Sequence, residues 1–427
     1  MKDRDSIRES LLRDIRRRGD EILGYCSELI KRPSENPPGD TVAAAQYVCN
    51  LLDDHRIPYQ TFEPSPKNLN VVASHKFSDS GRKFLLNGHL DTFHVENAKK
   101  WDFDPFSGEI RDGKILGRGA SDMKGGLAGS IGAFIAAVEM KLPLDGELIL
   151  MCPADEEDGG FDGTKWLLDN HPEFIPDAAL IGEPNSLDIV SIANKGIMVI
   201  KLTVPGEPMH GSIAMGDTAV VKAAEVILLL KEIMNFESET PAEMKEVLRE
   251  QNRHIESSKD QYYEGRTKLT TYPSYNPSIV KAGVRHNVVP DECMVKIDVR
   301  LPLGMTHGKM MQLVKDLLQK RGYGDIIVEY GEEGFHFDPH YTSPNSDFAK
   351  LVKRNVGEVT GKTPIFQITY PGGDIRFIRF RNIPGIIFGP RPFYVGGYNE
   401  YVRSDDVLVT AQVHALTLFD FLSEKTH

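Results

Sequence analysis

Four short clusters carry side chains able to hold a metal ion or move a proton. The first is Asn87-Gly88-His89-Leu90-Asp91, directly after the apolar run Phe84-Leu85-Leu86. Imidazole is the commonest nitrogen ligand of zinc-like ions. On a strand, residues two apart share a face, so Asp91 is expected to accept the other ring N–H of His89 and fix its tautomer. The second cluster, Gly117-Arg118-Gly119-Ala120-Ser121-Asp122-Met123-Lys124-Gly125-Gly126, reads as a tight loop ahead of a helix. Asp122 is expected at the helix start, where free N–H groups stabilise a carboxylate. The third, Pro153-Ala154-Asp155-Glu156-Glu157-Asp158, follows another apolar run. Adjacent carboxylates repel, so such a loop is either solvated or bound to a cation. The fourth is Ile181-Gly182-Glu183-Pro184. Each cluster alone has an ordinary structural reading: a core histidine, an N-cap, a solvated acidic loop. Most of them fall at strand ends, and together they should reach one rim, which points to metal-assisted chemistry.

The elements that must position these groups follow from the apolar pattern. Residues 7–31 predict an amphipathic helix, 41–52 a second, and 123–140 a Gly/Ala-rich third. The runs 71–73, 84–86, 147–151 and 178–181 predict strands buried on both faces, hence an α/β sheet. From about residue 196 the pattern changes. A strand at 197–204, a helix at 218–234, a polar stretch at 236–275, a strand at 292–299 and a helix at 307–321 read as an inserted α+β domain. A short strand at 385–388 and a helix at 405–423 close the chain. The expected division is therefore 1–194 with 333–427, and 195–332 between them.

Composition excludes several classes. With 427 residues, two domains are expected. The formal charge is −12, and the only basic run, Arg16-Arg17-Arg18, reads as a solvated helix face, so no nucleic-acid partner is expected. No apolar run approaches the roughly 18 residues that span a membrane. The charged N-terminus lacks a signal core, and the four scattered cysteines read as reduced thiols; the expected location is the cytoplasm.

The order His89-Leu90-Asp91, then Trp101 through Asp112-Gly113-Lys114 to the Gly117–Gly126 loop, then Asp155-Glu156-Glu157, then Gly182-Glu183-Pro184, resembles the acetylornithine deacetylase, succinyl-diaminopimelate desuccinylase and aminoacylase metallopeptidase family. The likeness continues through Met209-His210-Gly211-Ser212, Asn287-Val288-Val289-Pro290-Asp291, Arg300 and Gly372-Gly373-Asp374-Ile375-Arg376, and covers nearly the whole chain. It implies an α/β fold with a mixed-sheet, metallopeptidase-type catalytic domain and an inserted α+β lid and dimerisation domain. It implies metal ligation by His89, Asp122, Glu183 and Glu157, with Glu156 as general base and Asp91 supporting His89. It further implies substrate contacts from Asn287, Arg300, Gly373 and Arg376. His210 would reach the active site of a second subunit, so a homo-oligomer, at least a dimer through the insert, is expected.

One position departs from the family. Its last ligand for a second metal is a histidine four residues before a glutamate; Glu400 matches, but the histidine position is Gly396. Glycine offers no donor, so one divalent ion per chain (Mn, Zn or Co) is expected. Three protein ligands and an open position suffice to acidify a water. The implied reaction is hydrolysis of a C–N bond in a small carboxylate-bearing molecule. The missing histidine marks an unusual member, and the expected activity is that of an aromatic aminohydrolase converting 5-nitroanthranilate to 5-nitrosalicylate and ammonia. The aromatic loop from Phe393-Tyr394 to Tyr398 could pack a ring. An N-acyl amino acid deacylase or dipeptidase is the alternative, and a non-catalytic binding relative is an alternative of another class.

Overall fold

The computed structural model of the chain describes residues 4–257, 267–331 and 336–423. It splits into two compact units. The first takes Met1–Ile192, Thr342–Gln367 and Gly373–His427; the second takes Ala193–Tyr341 and the short return Ile368–Gly372. Residue 332, the expected end of the insert, lies outside the described residues.

The first unit is built on a mixed sheet. Its strands run in the order Tyr59–Phe62, Asn70–Lys76, Gly146–Cys152, Arg82–Asn87, Ala178–Ile181, Gly385–Ile387, Ile189–Asn194, the last continuing into the second unit. The middle four are parallel and the flanking pairs antiparallel. Every residue of Gly146–Cys152 and Ala178–Ile181 is buried, as the continuous apolar runs require for strands covered on both faces. Asn87 sits level with both Met151 and Ile181. The chain therefore leaves three adjacent parallel strands at one height, carrying the His89, Glu156 and Glu183 segments out along one edge.

The helix Gly125–Glu139 explains its own composition. Its run of Gly, Ala and Ser is buried almost throughout, packed against the C-terminal helix Ser404–Ser423, and only small side chains allow so close an approach. The first predicted helix is two, Arg4–Arg17 and Gly19–Ile30, broken at Arg18. The break leaves the Arg18 guanidinium bridging Asp14 (2.7 Å) and Glu139 (2.5 Å).

The second unit is an antiparallel sheet, Asn276–Ala282, Glu292–Leu301, Gly196–Pro205, Ile327–Tyr330, with His336–Phe337 also pairing to Gly196–Pro205. Strict alternation of buried and half-exposed residues along the two central strands gives it one covered face. The helices Ala219–Leu230 and His307–Lys320 cover that face, with Val226, Leu230, Met310 and Val314 meeting Ile200, Leu202, Val295 and Ile297. The predicted helix 218–234 ends early, at Leu230, and continues only as a tight turn. Within the stretch read as polar, Lys245–Ser257 is a helix burying Val247, Leu248 and Ile255; residues 258–266 of that stretch lie outside the described residues.

Candidate metal centre

His89, Asp122 and Glu183 converge. One ligand atom from each lies within 4.8 Å of the others, and among the described residues this is the one group of three or more His, Cys, Asp or Glu so arranged. His89 Nε2 stands 3.3 Å from Asp122 Oδ1 and 3.5 Å from Glu183 Oε1. Backbone contact makes this possible: a Cβ on Gly126 would lie 1.7 Å from the carbonyl oxygen of Gly182. The start of the helix at Gly125 therefore presses directly on the turn that leads to Glu183, which only glycine at 126 allows.

Asp122 is not a helix cap. The helix begins at Gly125, and Asp122 lies before it in extended backbone (φ −121°, ψ 98°), inside an irregular turn. Its carboxylate faces His89 instead of the helix amides. The expected His89–Asp91 pairing is also altered. The strand ends at Asn87, so the period of two is lost, and His89 Nδ1 approaches the Asp91 main-chain oxygen (2.9 Å) more closely than Asp91 Oδ1 (3.4 Å).

The Asp91 carboxylate does other work. It accepts the backbone N–H of Glu156 on Oδ1 (3.2 Å) and that of Glu157 on Oδ2 (3.0 Å), and the side-chain amide of Asn36 on Oδ2 (3.0 Å). It thereby fixes the acidic loop relative to His89. Burial pushes Asp91 upward, but the hydrogen bonds from His89, Asn36 and Glu157 hold it below the usual carboxylate range.

The electrostatics ask for a cation. Burial first, and the charge of Asp122 next, push Glu157 and Glu183 well above the carboxylate range. Glu157 Oε1 is buried with no hydrogen-bond partner, although Glu157 is not within the close group of three. Burial would lower His89, yet Asp122, Asp91 and Glu183 raise it well above its ordinary value. One imidazole nitrogen and carboxylate oxygens at this spacing suit Zn2+, Mn2+ or Co2+, and a divalent ion would replace the protons these groups otherwise compete for.

Glu156 sits beside this group. Burial pushes its carboxyl up to about 7; His89 and Arg376 oppose the shift, and Asp374 and Asp122 reinforce it. Such a group can both take and return a proton near neutrality.

Gly373 and Arg376 lie close by in the same unit. Arg376, buried, donates to the carbonyl oxygens of Gly373 (2.7 Å) and Gly159 (2.5 Å). His210, Asn287 and Arg300 belong to the second unit. His210 is exposed and pairs locally with the Ser212 hydroxyl (2.7 Å); Asn287 is exposed; Arg300 Nε donates to Asp298 (3.3 Å).

Sequence reasoning missed several participants. Asp374 is buried, accepts the Thr164 hydroxyl (2.6 Å), and is pushed by burial up to about 6. It stands inside the Gly372–Arg376 motif and could have been read there. Asn36 gave no signal, because it lies in a proline-rich turn far from the clusters. Gly396 adopts φ +69°, and a Cβ there would meet only the Phe93 ring, at 3.7 Å. Around it, Phe393 stacks on Tyr401 at 4.6 Å and Tyr394 is exposed.

The profile of peptidase family M20/M25/M40 matches residues 85–420, and the chain belongs to that family. It is 27% identical over 409 residues to a succinyl-diaminopimelate desuccinylase of Rhodospirillum centenum, covering 93% of this chain and 96% of that protein. It is 24% identical to an N-formyl-4-amino-5-aminomethyl-2-methylpyrimidine deformylase of Halalkalibacterium halodurans, covering 99% and 98%. The fold superposes on an M20 metallo-carboxypeptidase of Sulfolobus solfataricus with a TM-score of 0.75 at 21% identity, covering 94% of this chain and 99% of that one. The chain is thus a metal-dependent hydrolase of C–N bonds with the mixed α/β fold of that family. No helix among the described residues is long and apolar enough to cross a membrane.

Proposed function

We propose that this hydrolase, acting in the cytoplasm, uses one divalent ion per chain, held by His89, Asp122 and Glu183, and that Glu156 is its general base. The observation that carries this is the half-buried Glu156, its carboxyl pushed up to about 7, beside a three-donor group crowded with negative charge. Bound there, the ion would supply positive charge that acidifies a water and polarises the bond under attack. Glu156 takes a proton from the water and delivers it to the leaving nitrogen. Asp91 keeps His89 and the Glu156–Glu157 backbone in register. Glu157, half-buried with a buried, unpartnered Oε1, is a candidate further donor to the ion. Arg300 and Asn287 bind the substrate carboxylate and polar groups, and Gly373 and Arg376 line the substrate site.

Single occupancy is supported by Gly396, which offers no donor. Elemental analysis after loading with excess zinc or manganese should give about one ion per chain, and Gly396→His should strengthen a second site. Two ions at full occupancy in the wild type would sink this reading.

For the substrate, the named activities of the relatives, a desuccinylase and a deformylase, favour an N-acyl amine, with Arg300 to hold a carboxylate on it. A second reading, the aromatic aminohydrolase acting on 5-nitroanthranilate, draws on the aromatic side chains around Gly396: Phe93, Phe393, Tyr394 and Tyr401. In that reaction water's oxygen bonds to the ring carbon, ammonia leaves, and a nitro group para to the amine takes the charge. Metal-dependent turnover across N-succinyl and N-formyl amines, dipeptides and 5-nitroanthranilate decides between them.

We further propose a dimer through the second unit, with His210 completing the partner's site. The exposed apolar side chains Val220, Val221 and Leu228 on one helix, and Ile279 and Val280 on the edge strand Asn276–Ala282, support such an interface. Mixing inactive Glu156→Gln and His210→Ala chains should restore about a quarter of wild-type activity, because hybrid dimers regain one intact site. No recovery after verified subunit exchange would refute shared sites.

A further inference from the structure

A buried ion pair stands behind the metal centre. Glu400 is fully buried and Arg118 is 2% exposed. Glu400 Oε2 accepts from Arg118 Nη1 at 2.5 Å, while Oε1 accepts the backbone N–H of Ser121 (3.0 Å) and of Asp122 (3.2 Å). Arg118 Nη2 donates to the carbonyl oxygens of Gly396 (3.2 Å) and Gly397 (3.0 Å). The Gly117 N–H also donates to the Glu400 main-chain oxygen at 3.0 Å. One carboxylate and one guanidinium thus join the turn that presents Asp122 to the glycine loop at 396–397.

We infer that Arg118 and Glu400 are positioning residues for the metal ligand Asp122, fixing its backbone through the two N–H groups so that its carboxylate is already aimed before an ion arrives. Asp122 is held in extended backbone just where a helix is about to begin, and its own helix does not fix it there. A backbone N–H anchored by a buried anion removes that freedom, and Arg118 neutralises the anion while tying down the loop behind it. The inference rests on the reading of Asp122 as a ligand. It predicts that the pair sets metal affinity, beyond any contribution to folding.

The test is zinc affinity, measured by competition with a colorimetric chelator on full-length protein, together with the melting temperature of the metal-free chain. Glu400→Gln keeps an acceptor oxygen but loses the charge opposite Arg118; it should weaken zinc binding about 10- to 100-fold. Arg118→Lys keeps the charge but not the two-pronged reach, and should give a smaller loss in the same direction. Asp406→Asn is the control. Asp406 is equally buried and takes two 2.7 Å bonds from Arg391, but touches no ligand segment. It should lower the melting temperature and leave zinc affinity unchanged. If Glu400→Gln and Arg118→Lys fold and hold zinc as the wild type does, the inference is wrong. If neither folds, even with saturating zinc, the pair is a folding determinant and the inference is equally wrong. Should the wild type itself bind neither zinc nor manganese, the metal-centre reading fails before the variants are compared.

Discussion

The two units hold their candidate residues in opposite ways. In the first, His89, Asp91 and Arg376 are buried and Glu156 is half-buried, and each is fixed by backbone or carboxylate partners. In the second, His210 and Asn287 are exposed, and Arg300 has a partner two residues away. Burial in the first unit shifts protonation and crowds charge, which is what proton transfer and metal binding need. Exposure in the second leaves His210 and Asn287 open to solvent. On the proposed reading, the chemistry belongs to the first unit and the recognition residues His210, Asn287 and Arg300 to the second.

The sharpest way to break this contrast is Glu156→Gln. The variant should fold and keep its metal, yet lose at least about two orders of magnitude in kcat, the usual worth of a positioned general base. Steady-state kinetics alongside elemental analysis checks it. A variant with most of its activity would make Glu156 an ordinary loop carboxylate and remove the chemical asymmetry between the units.

A second expectation concerns the buried core of the first unit. His414 Nε2 meets the Phe388 carbonyl (2.8 Å) and Nδ1 the Ser130 hydroxyl (3.0 Å), and burial pushes the ring down from 6.5 to about 4. The unfolded chain takes up a proton near the higher value and the folded chain only near the lower. Stability from this group is therefore full above pH 6.5 and is lost as pH falls toward 4, by about 3 kcal/mol in all. Urea unfolding of metal-free protein at pH 7 and pH 4.5 should show this loss in the wild type and a smaller one in His414→Gln. Equal pH dependence in the two would mean that the ring is not buried neutral.

The smallest effect is expected in the second unit. Arg300→Ala should raise KM about tenfold with little change in kcat, because a carboxylate anchor acts on bound substrate and transition state alike. Arg300→Lys should recover part of the loss. A fall in kcat with KM unchanged would place Arg300 in the chemistry and blur the division between the units.

The sequence alone determined which residue types stand at the strand ends. The apolar runs had to be strands buried on both faces, and the His, Asp and Glu clusters follow them within a few residues, so a rim of metal-binding groups was legible before any coordinates. What the sequence could not decide is how the backbone turns after the regular element stops. The strand ends at Asn87, so the Asp91 carboxylate turns to the Glu156 and Glu157 amides, and the helix starts at Gly125, so Asp122 faces His89 instead of capping it. Glu400 and Asp122 are far apart in the chain, and no local periodicity links them. Only the tertiary fold, by burying a carboxylate that must then find N–H partners, brings the two together.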